Sequence, residues 1–446
     1  MSQPKKGFVN FLQEFSIPLI VGVFAALFAA NLAPDWYSHW FGEIHGSGAH
    51  GDADHGPFNL GFSIFGHVVG MQFLVNDIFM VFFFGIAAKE ITEACLPGGS
   101  LNPLKSAISP LLATIGGVVG PVGAFFLFLA LWYGASPDAF GGLELGTLQN
   151  GWGIPTATDI ALAWLVARTV FGKGHPAVNF LLLLAVADDA IGLGIIAIFY
   201  GDPANPAKPE FLALVLLAMG VAFALRKLNV NNWIPYIFIA GPIAWAGLML
   251  AHLHPALALV PIVPFLPGPK HDTGLFTKAD EVDQAEAAGY PHGDHSPLHL
   301  FEHQLKLFVD FGLFFFAFAN AGVELGGIGA MSWIILGSLV IGKTVGITAF
   351  AMLGKVVGVT LPKGMSFRDL VMAGFIGALG LTVALFVAGA AFPGADEGIM
   401  KLQGEAKMGA LFSGFVGLAA VLIGKMFGFG RDPVNASEET GKSEAA

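Results

Sequence analysis

About twelve mostly apolar stretches, each near the length needed to cross a lipid bilayer, divide this 446-residue chain. A spanning helix needs roughly 20 apolar residues, because it rises about 1.5 Å per residue through a hydrocarbon core about 30 Å thick. The stretches fall at about 14–32, 66–88, 108–132, 150–167, 177–200, 210–225, 233–248, 250–265, 304–323, 332–353, 368–391 and 404–427. Inside lipid every backbone polar group must find its partner within the protein, so runs of this length are expected to be helices. The expected fold is an all-α polytopic membrane protein with a single integral membrane domain over 1–446 and a transmembrane region at about 14–427.

Composition excludes the soluble alternatives. Hydrophobic residues make up 55% and charged residues 12%, and the mean hydropathy is +0.71. The 42 Phe and 60 Gly suit helices packed in lipid, where small residues let backbones approach. The single cysteine, Cys95, excludes an internal disulfide framework and a Cys-based metal site. A net charge of -11 argues against a nucleic-acid partner. The opening "MSQPKKGFVNFLQEF" has the basic-then-apolar order of a signal peptide, but no clean A-x-A site follows, so Ile17 to Leu32 reads as a retained first span.

Charge placement tests the span count. With the N-terminus inside, 17 basic residues fall in inner segments and three, Lys208, Lys401 and Lys407, in outer ones, with Lys343 left inside a span. That asymmetry follows the positive-inside rule and places both termini in the cytoplasm. Two connections are long and polar. The outer one, 33–60, carries His45, His50, Asp52, Asp54 and His55, whose irregular spacing among glycines fits a solvated chain better than a metal site. The inner one, 266–303, is rich in histidine, and the tail over 430–446 is expected to be disordered.

Ionisable residues inside spans point to function, since each is costly there. Asp188 and Asp189, in "LLLLAVADDAIGLGIIAIFY", have about ten residues of their span on either side. Adjacent helical residues point about 100° apart, so the two cannot face one partner equally. Asp159 lies in "GWGIPTATDIALAW", where Pro155 removes a helix donor and Thr156, Thr158 and Asp159 can bond to freed backbone groups. A second interrupted stretch, "AGFIGALGLTVALF", carries Gly374, Gly377, Gly380 and Thr382. Two interrupted spans, one in each half, mark a transporter's midplane site. Taken singly, either one also reads as a kink or as close helix packing. Lys343 follows an apolar run and must pair with a carboxylate or lose its proton. Asp77, also within a span, serves helix packing or touches an ion path.

In this order and context, "GWGIPTATDIALA", "LAVADDAIGLGIIAIFY", "AHLHPALALV", "FFFAFANAGVEL" and "LVIGKTVGI" resemble NhaA-type sodium/proton antiporters from the first span to the last. That family is itself a standing example of inverted repeats with broken helices. The resemblance implies two discontinuous helices crossing at mid-membrane, around Asp159 and Thr382. It implies Thr158 and Asp159 at the crossing, with the acid balancing positive helix ends. It also implies Asp188 and Asp189 as cation and proton carriers, with Lys343 paired to Asp188 and Asp189 turned towards the incoming ion. The implied protein is not an enzyme and needs no cofactor. It transports Na+, Li+ and H+, lies in the bacterial inner membrane and forms a homodimer.

The residue chemistry agrees with this. Sodium is a hard cation suited to carboxylate, hydroxyl and carbonyl oxygens. Two neighbouring buried carboxylates cannot both stay charged cheaply, so the pair exchanges protons jointly and cations compete with those protons. For pH sensing the match is mixed. Glu302 and His303 occupy the place of a family Glu-His pair. Where the family commonly carries "GLEVKREL", this chain reads "GIAAKEITEACLPGG", so Glu93 stands in for one acid and Lys89 replaces another. All of these equally suit ordinary solvated charges. An intramembrane aspartyl protease needs acids on two facing helices in Y-D and G-x-G-D contexts, which do not occur here. A sodium-coupled organic-anion symporter on the same architecture is the closer rival, and would not need Lys343.

Overall fold

A computed structural model describes residues 16–41, 60–97, 99, 101, 104–172, 174–201, 206–268, 296–356, 358–394 and 396–429. Helix α1 (Ile17–Leu32) has the bounds expected for the first span, and a short α2 (Pro34–Phe41) follows it. The expected polar loop at 33–60 therefore begins with a helix rich in aromatic residues. A two-residue antiparallel pair, β1 (Ser63–Ile64) and β2 (His67–Val68), precedes α3 (Met71–Cys95), which contains a π-helical turn at Leu74–Phe79. Next come α4 (Leu104–Ala135), then α5 (Leu145–Thr156) and α6 (Ile160–Phe171), a pair bent by 49°. Helices α7 (Pro176–Phe199), α8 (Pro209–Lys227) and α9 (Trp233–Leu250) complete the first part of the chain. After them lie α10 (Pro297–Asn320) and α11 (Ala330–Val356), then a second pair bent by 49°, α12 (Phe367–Ile376) and α13 (Leu381–Ala391), and finally α14 (Glu397–Phe427).

Among the described residues seven helices are long and apolar enough to cross a bilayer, and nine crossings result if each bent pair counts as one. The stretch at 250–265 departs from expectation. It forms no long α-helix but a run of tight turns, including 3-10 turns at Pro255–Leu257 and Val263–Phe265. Pro255, Pro261 and Pro264 explain this, since each removes a donor and clashes with the preceding turn. At the other side of the inner loop α10 begins earlier than its apolar run, because Ser296 caps it by accepting from the His299 N–H at 3.2 Å. Residues 297–303, expected in the loop, are its first two turns.

The polarity of the fold is reversed from that of a soluble protein. Phe24, Phe28, Leu131, Ile198, Leu216 and Leu418 stand exposed on the outside, while Asp159, Asp188 and Lys343 are buried. An outer surface this apolar is stable only against lipid. With no hydrophobic drive between helices in lipid, close packing must hold them together, and α4 and α11 supply the tightest case. Gly116 and Gly120 of α4 face Gly342 and Gly346 of α11. A Cβ on Gly116 would lie 2.1 Å from the Gly346 carbonyl oxygen, and one on Gly120 2.3 Å from that of Gly342. Lys343 therefore sits inside a small-xxx-small contact, at the end of a π-helical turn over Ser338–Lys343. Such turns add a residue to the helix and re-aim the side chains around it.

Candidate ion-binding site

The site is built on two helix breaks that satisfy each other. At the end of α5 the chain tightens into a 3-10 turn, Asn150–Thr156, and Ala157 and Asp159 are extended. The other break lies at Gly377–Gly380, between α12 and α13. Here the Asp159 N–H donates to the Leu379 carbonyl at 2.6 Å, and the Thr158 hydroxyl lies 2.9 Å from the Gly377 carbonyl. Asp159 Oδ1 accepts from the Leu162 N–H at 3.1 Å, capping α6, while its Oδ2 accepts from the Thr382 hydroxyl at 2.9 Å in the first turn of α13. One carboxylate thus serves two helix N-termini, each carrying a partial positive charge. Gly380 suits this close approach, since a Cβ there would lie 3.0 Å from both the Ala157 carbonyl oxygen and Leu339 Cδ2, tighter than an ordinary contact. Tyr200 at the end of α7 holds the first break in place, accepting from the Gly153 N–H and donating to the Asn150 carbonyl, both at 2.8 Å.

Lys343 reaches this junction from α11. Its Nζ lies 2.5 Å from Asp188 Oδ2 and 2.5 Å from Thr158 Oγ1, and Thr158 Oγ1 is 2.7 Å from the same Oδ2. Lys343, Asp188 and Thr158 are fully buried, so none has water to fall back on, and the ammonium and carboxylate must satisfy each other. The expected pairing of Lys343 with Asp188 rather than Asp189 is what the geometry has. Asp189, one residue on, is turned away and is 9% exposed. The charges within its reach are Asp188, Glu90, Lys343 and Asp159.

Asp188 Oδ1 and Asp189 Oδ1 are buried and have no hydrogen-bond partner among the described residues. Buried polar atoms in native proteins are nearly always satisfied, so two unpaired carboxylate oxygens on consecutive residues make this pair a candidate for a ligand site. The Asp188 and Asp189 carboxylates and the Thr158 hydroxyl, 2.7 Å from Asp188 Oδ2, are all oxygen donors. That set suits a hard cation and not a soft metal.

The remaining candidates separate into groups. Glu93 and Glu302 are brought together by Lys89, whose Nζ lies 2.5 Å from Glu93 and also donates to Glu302. Lys89 is buried at 4% exposure, so the residue that departs from the expected acidic pattern ties the end of α3 to α10. His303 is not part of this cluster: it is exposed, and its ring lies 6.2 Å from that of His299. Asp77, on the π-helical turn of α3, has His254 Nδ1 at 4.0 Å, and its carbonyl accepts from Trp245 Nε1 at 2.8 Å. His45, His50, Asp52, Asp54 and His55, most of the inner loop and the 430–446 tail lie outside the described residues.

Two structural devices had no reading in the sequence. Glu405 of α14 is 4% exposed and accepts from the Met331 N–H at 3.1 Å, so a distant acid caps α11. Gln403 similarly donates to the Phe392 carbonyl at 3.0 Å, just beyond α13. The signal was present in each case, a polar side chain at the start of an apolar span, but its partner is remote in sequence.

Residues 8–426 match the family described as Na+/H+ antiporter 1. The Na(+)/H(+) antiporter NhaA of Desulfitobacterium hafniense is 52% identical over 429 residues, covering 96% of this chain and 98% of the relative. That of Geobacter sulfurreducens is 51% identical over 425 residues, 95% of this chain and 99% of its own length. A more distant relative of the same description, from a Jannaschia species, is 41% identical over 456 residues, 94% of this chain and 97% of its own length. A match across nearly the whole length of both partners leaves one conclusion: the chain belongs to the Na+/H+ antiporter 1 family.

Proposed function

We propose that this protein exchanges cytoplasmic Na+ or Li+ for external H+, with Asp188 and Asp189 as the shared cation and proton site. The observation that carries the reading is the contact of Lys343 with Asp188 Oδ2, beside two unpaired oxygens on Asp188 and Asp189. With no cation bound, the Lys343 ammonium neutralises Asp188 and Asp189 takes a proton. A cation arriving at the two carboxylates replaces both positive partners, because two adjacent buried acids cannot accommodate a lysine, a proton and a cation together. Lys343 and Asp189 each release a proton, so more than one proton leaves per cation. Exchange is then electrogenic, and the membrane potential contributes about 2.3 kcal/mol per net charge per 100 mV. The outcome is sodium extrusion and pH homeostasis.

The same reading assigns the two bent pairs as discontinuous helices crossing at mid-membrane within an inverted-repeat fold of twelve crossings. The turns at 250–265 count as one crossing, since a 3-10 helix rises about 2 Å per residue and needs fewer residues for the same depth. Both termini are then cytoplasmic and the protein is a multi-pass protein of the bacterial inner membrane. Asp159, Thr158 and Thr382 support the crossing, and Glu93, Glu302 and His303 lie on the pH-responsive cytoplasmic face.

A sodium-coupled organic-anion symporter on the same frame has no use for a lysine held against the cation-binding acid. The discriminating experiment is the collapse of a pH gradient in everted membrane vesicles on addition of Na+, Li+ or K+ in turn. Dissipation by Na+ and Li+ with no organic substrate supports exchange. A gradient that persists until an organic anion is supplied refutes it.

A further inference from the structure

We infer that Gly117 is a specificity-determining position, whose missing side chain keeps room for the cation beside Asp188 Oδ1 and so sets which monovalent ion is accepted. The inference rests on the exchange reading above.

Helix α4 carries "GGVVG" at 116–120, and packing accounts for only two of these glycines. Gly116 and Gly120 lie against the backbone of α11, where any side chain would force the helices apart. Gly117 meets no neighbouring backbone. A Cβ placed on it would lie 3.2 Å from Ile347 Cγ1, 3.6 Å from Ile347 Cδ1 and 3.9 Å from Asp188 Oδ1. Its φ is not positive either, so neither close helix contact nor a left-handed conformation requires glycine there. Glycine also weakens a helix interior.

What the glycine provides is a bare stretch of α4 facing a carboxylate oxygen that is fully buried and unpaired. Three residues earlier the Thr114 hydroxyl lies 3.3 Å from the Leu184 carbonyl of α7, which fixes α4 against the helix carrying Asp188. The wall is therefore held at a set distance from the acid. Selection among hard cations follows from cavity size, ligand number and rigidity. A methyl group in van der Waals contact with Oδ1 removes volume that the larger cation and its remaining oxygen ligands need. The smaller Li+, with a tighter shell, loses less.

The test compares wild type, Gly117→Ala and Gly117→Ala/Ile347→Val in everted vesicles, titrating Na+ and Li+ separately. The double variant removes Ile347 Cδ1, the contact at 3.6 Å, and the shorter side chain can then turn its remaining γ-carbons away from the 3.2 Å contact that Cγ1 would make. One added methyl in a snug pocket changes discrimination by about tenfold. The apparent KM for Na+ is expected to rise by about that factor in both variants, with that for Li+ rising no more than about threefold. An unchanged Na+/Li+ ratio in the double variant overturns the inference. So does a ratio that shifts in Gly117→Ala but returns to the wild-type value with Ile347→Val, which would assign the effect to core packing. If Gly117→Ala alone does not accumulate, the double variant decides. Wild-type vesicles silent to both cations would overturn the exchange reading itself, whereas an active wild type with an unchanged ratio overturns only the role of Gly117.

Discussion

Replacing Asp159 tests whether one carboxylate holds the two broken spans together. Its Oδ1 caps α6 through Leu162, and its Oδ2 takes the Thr382 hydroxyl of α13. Losing a cap costs about 1 to 2 kcal/mol, and losing a negative charge at a partly buried helix N-terminus costs up to about 2 kcal/mol for each end. Asp159→Ala removes the cap of α6 and the charge at both helix starts and leaves the Thr382 hydroxyl unpaired, for a total of up to about 6 kcal/mol. Asp159→Asn keeps an acceptor oxygen for one helix start and loses the charge, so about half of that is expected. The assay is thermal unfolding in mild detergent, read as the loss of the monodisperse peak after heating. Apparent Tm is expected to fall in the order wild type, Asn, Ala. An Ala variant as stable as wild type refutes the capping account, and an Asn variant as stable as wild type shows that the charge is not used.

Lys343→Met leaves Asp188 buried with only Thr158, and breaking one side of a buried pair costs about 3 to 5 kcal/mol, so this variant unfolds earlier at pH 8 than at pH 5, where Asp188 can take a proton instead; equal thermal stability at both values contradicts the pairing. Gly116→Val places side-chain atoms on the α11 backbone, so the folded protein recovered by size exclusion falls sharply, whereas Gly123→Ala, with nothing within 4 Å of its Cβ, has no effect. Lys89→Met removes the ammonium that outweighs burial and holds the Glu302 carboxyl below the usual carboxylate range, so the stability this pairing contributes is present at pH 8 and is lost as the pH falls through the Glu302 pKa. Its destabilisation relative to wild type is therefore larger at pH 8 than at pH 4, as thermal unfolding at the two values will show.

Much of this architecture is legible in the chain because lipid imposes simple rules on it. Apolar run length located the helices, and the expense of a charge in hydrocarbon singled out Asp159, Asp188, Asp189 and Lys343. The apolar stretch at 250–265 reads as a helix but forms tight turns, because hydropathy counts apolar residues and ignores that Pro255, Pro261 and Pro264 each remove a helix donor. The start of α10 was missed for the complementary reason: Ser296 caps a polar first turn that hydropathy treats as loop. Which acid pairs with Lys343 follows from the adjacency of Asp188 and Asp189 only as a statement that they differ. The choice is made by the α4–α11 contact at Gly116, Gly120, Gly342 and Gly346, which positions the lysine. The roles of Glu405 and Lys89 were hidden because their partners, Met331 and Glu302, are brought near only by the fold.

The central claim is that a cation arriving at Asp188 and Asp189 expels the protons held by Lys343 and Asp189. The most direct test is proton release on adding NaCl to purified protein in weakly buffered detergent solution, with choline chloride as the control. Wild type is expected to release more than one proton per Na+ bound, Lys343→Met one fewer, and Asp188→Asn essentially none. Release of the wild-type number of protons by Asp188→Asn would contradict the account.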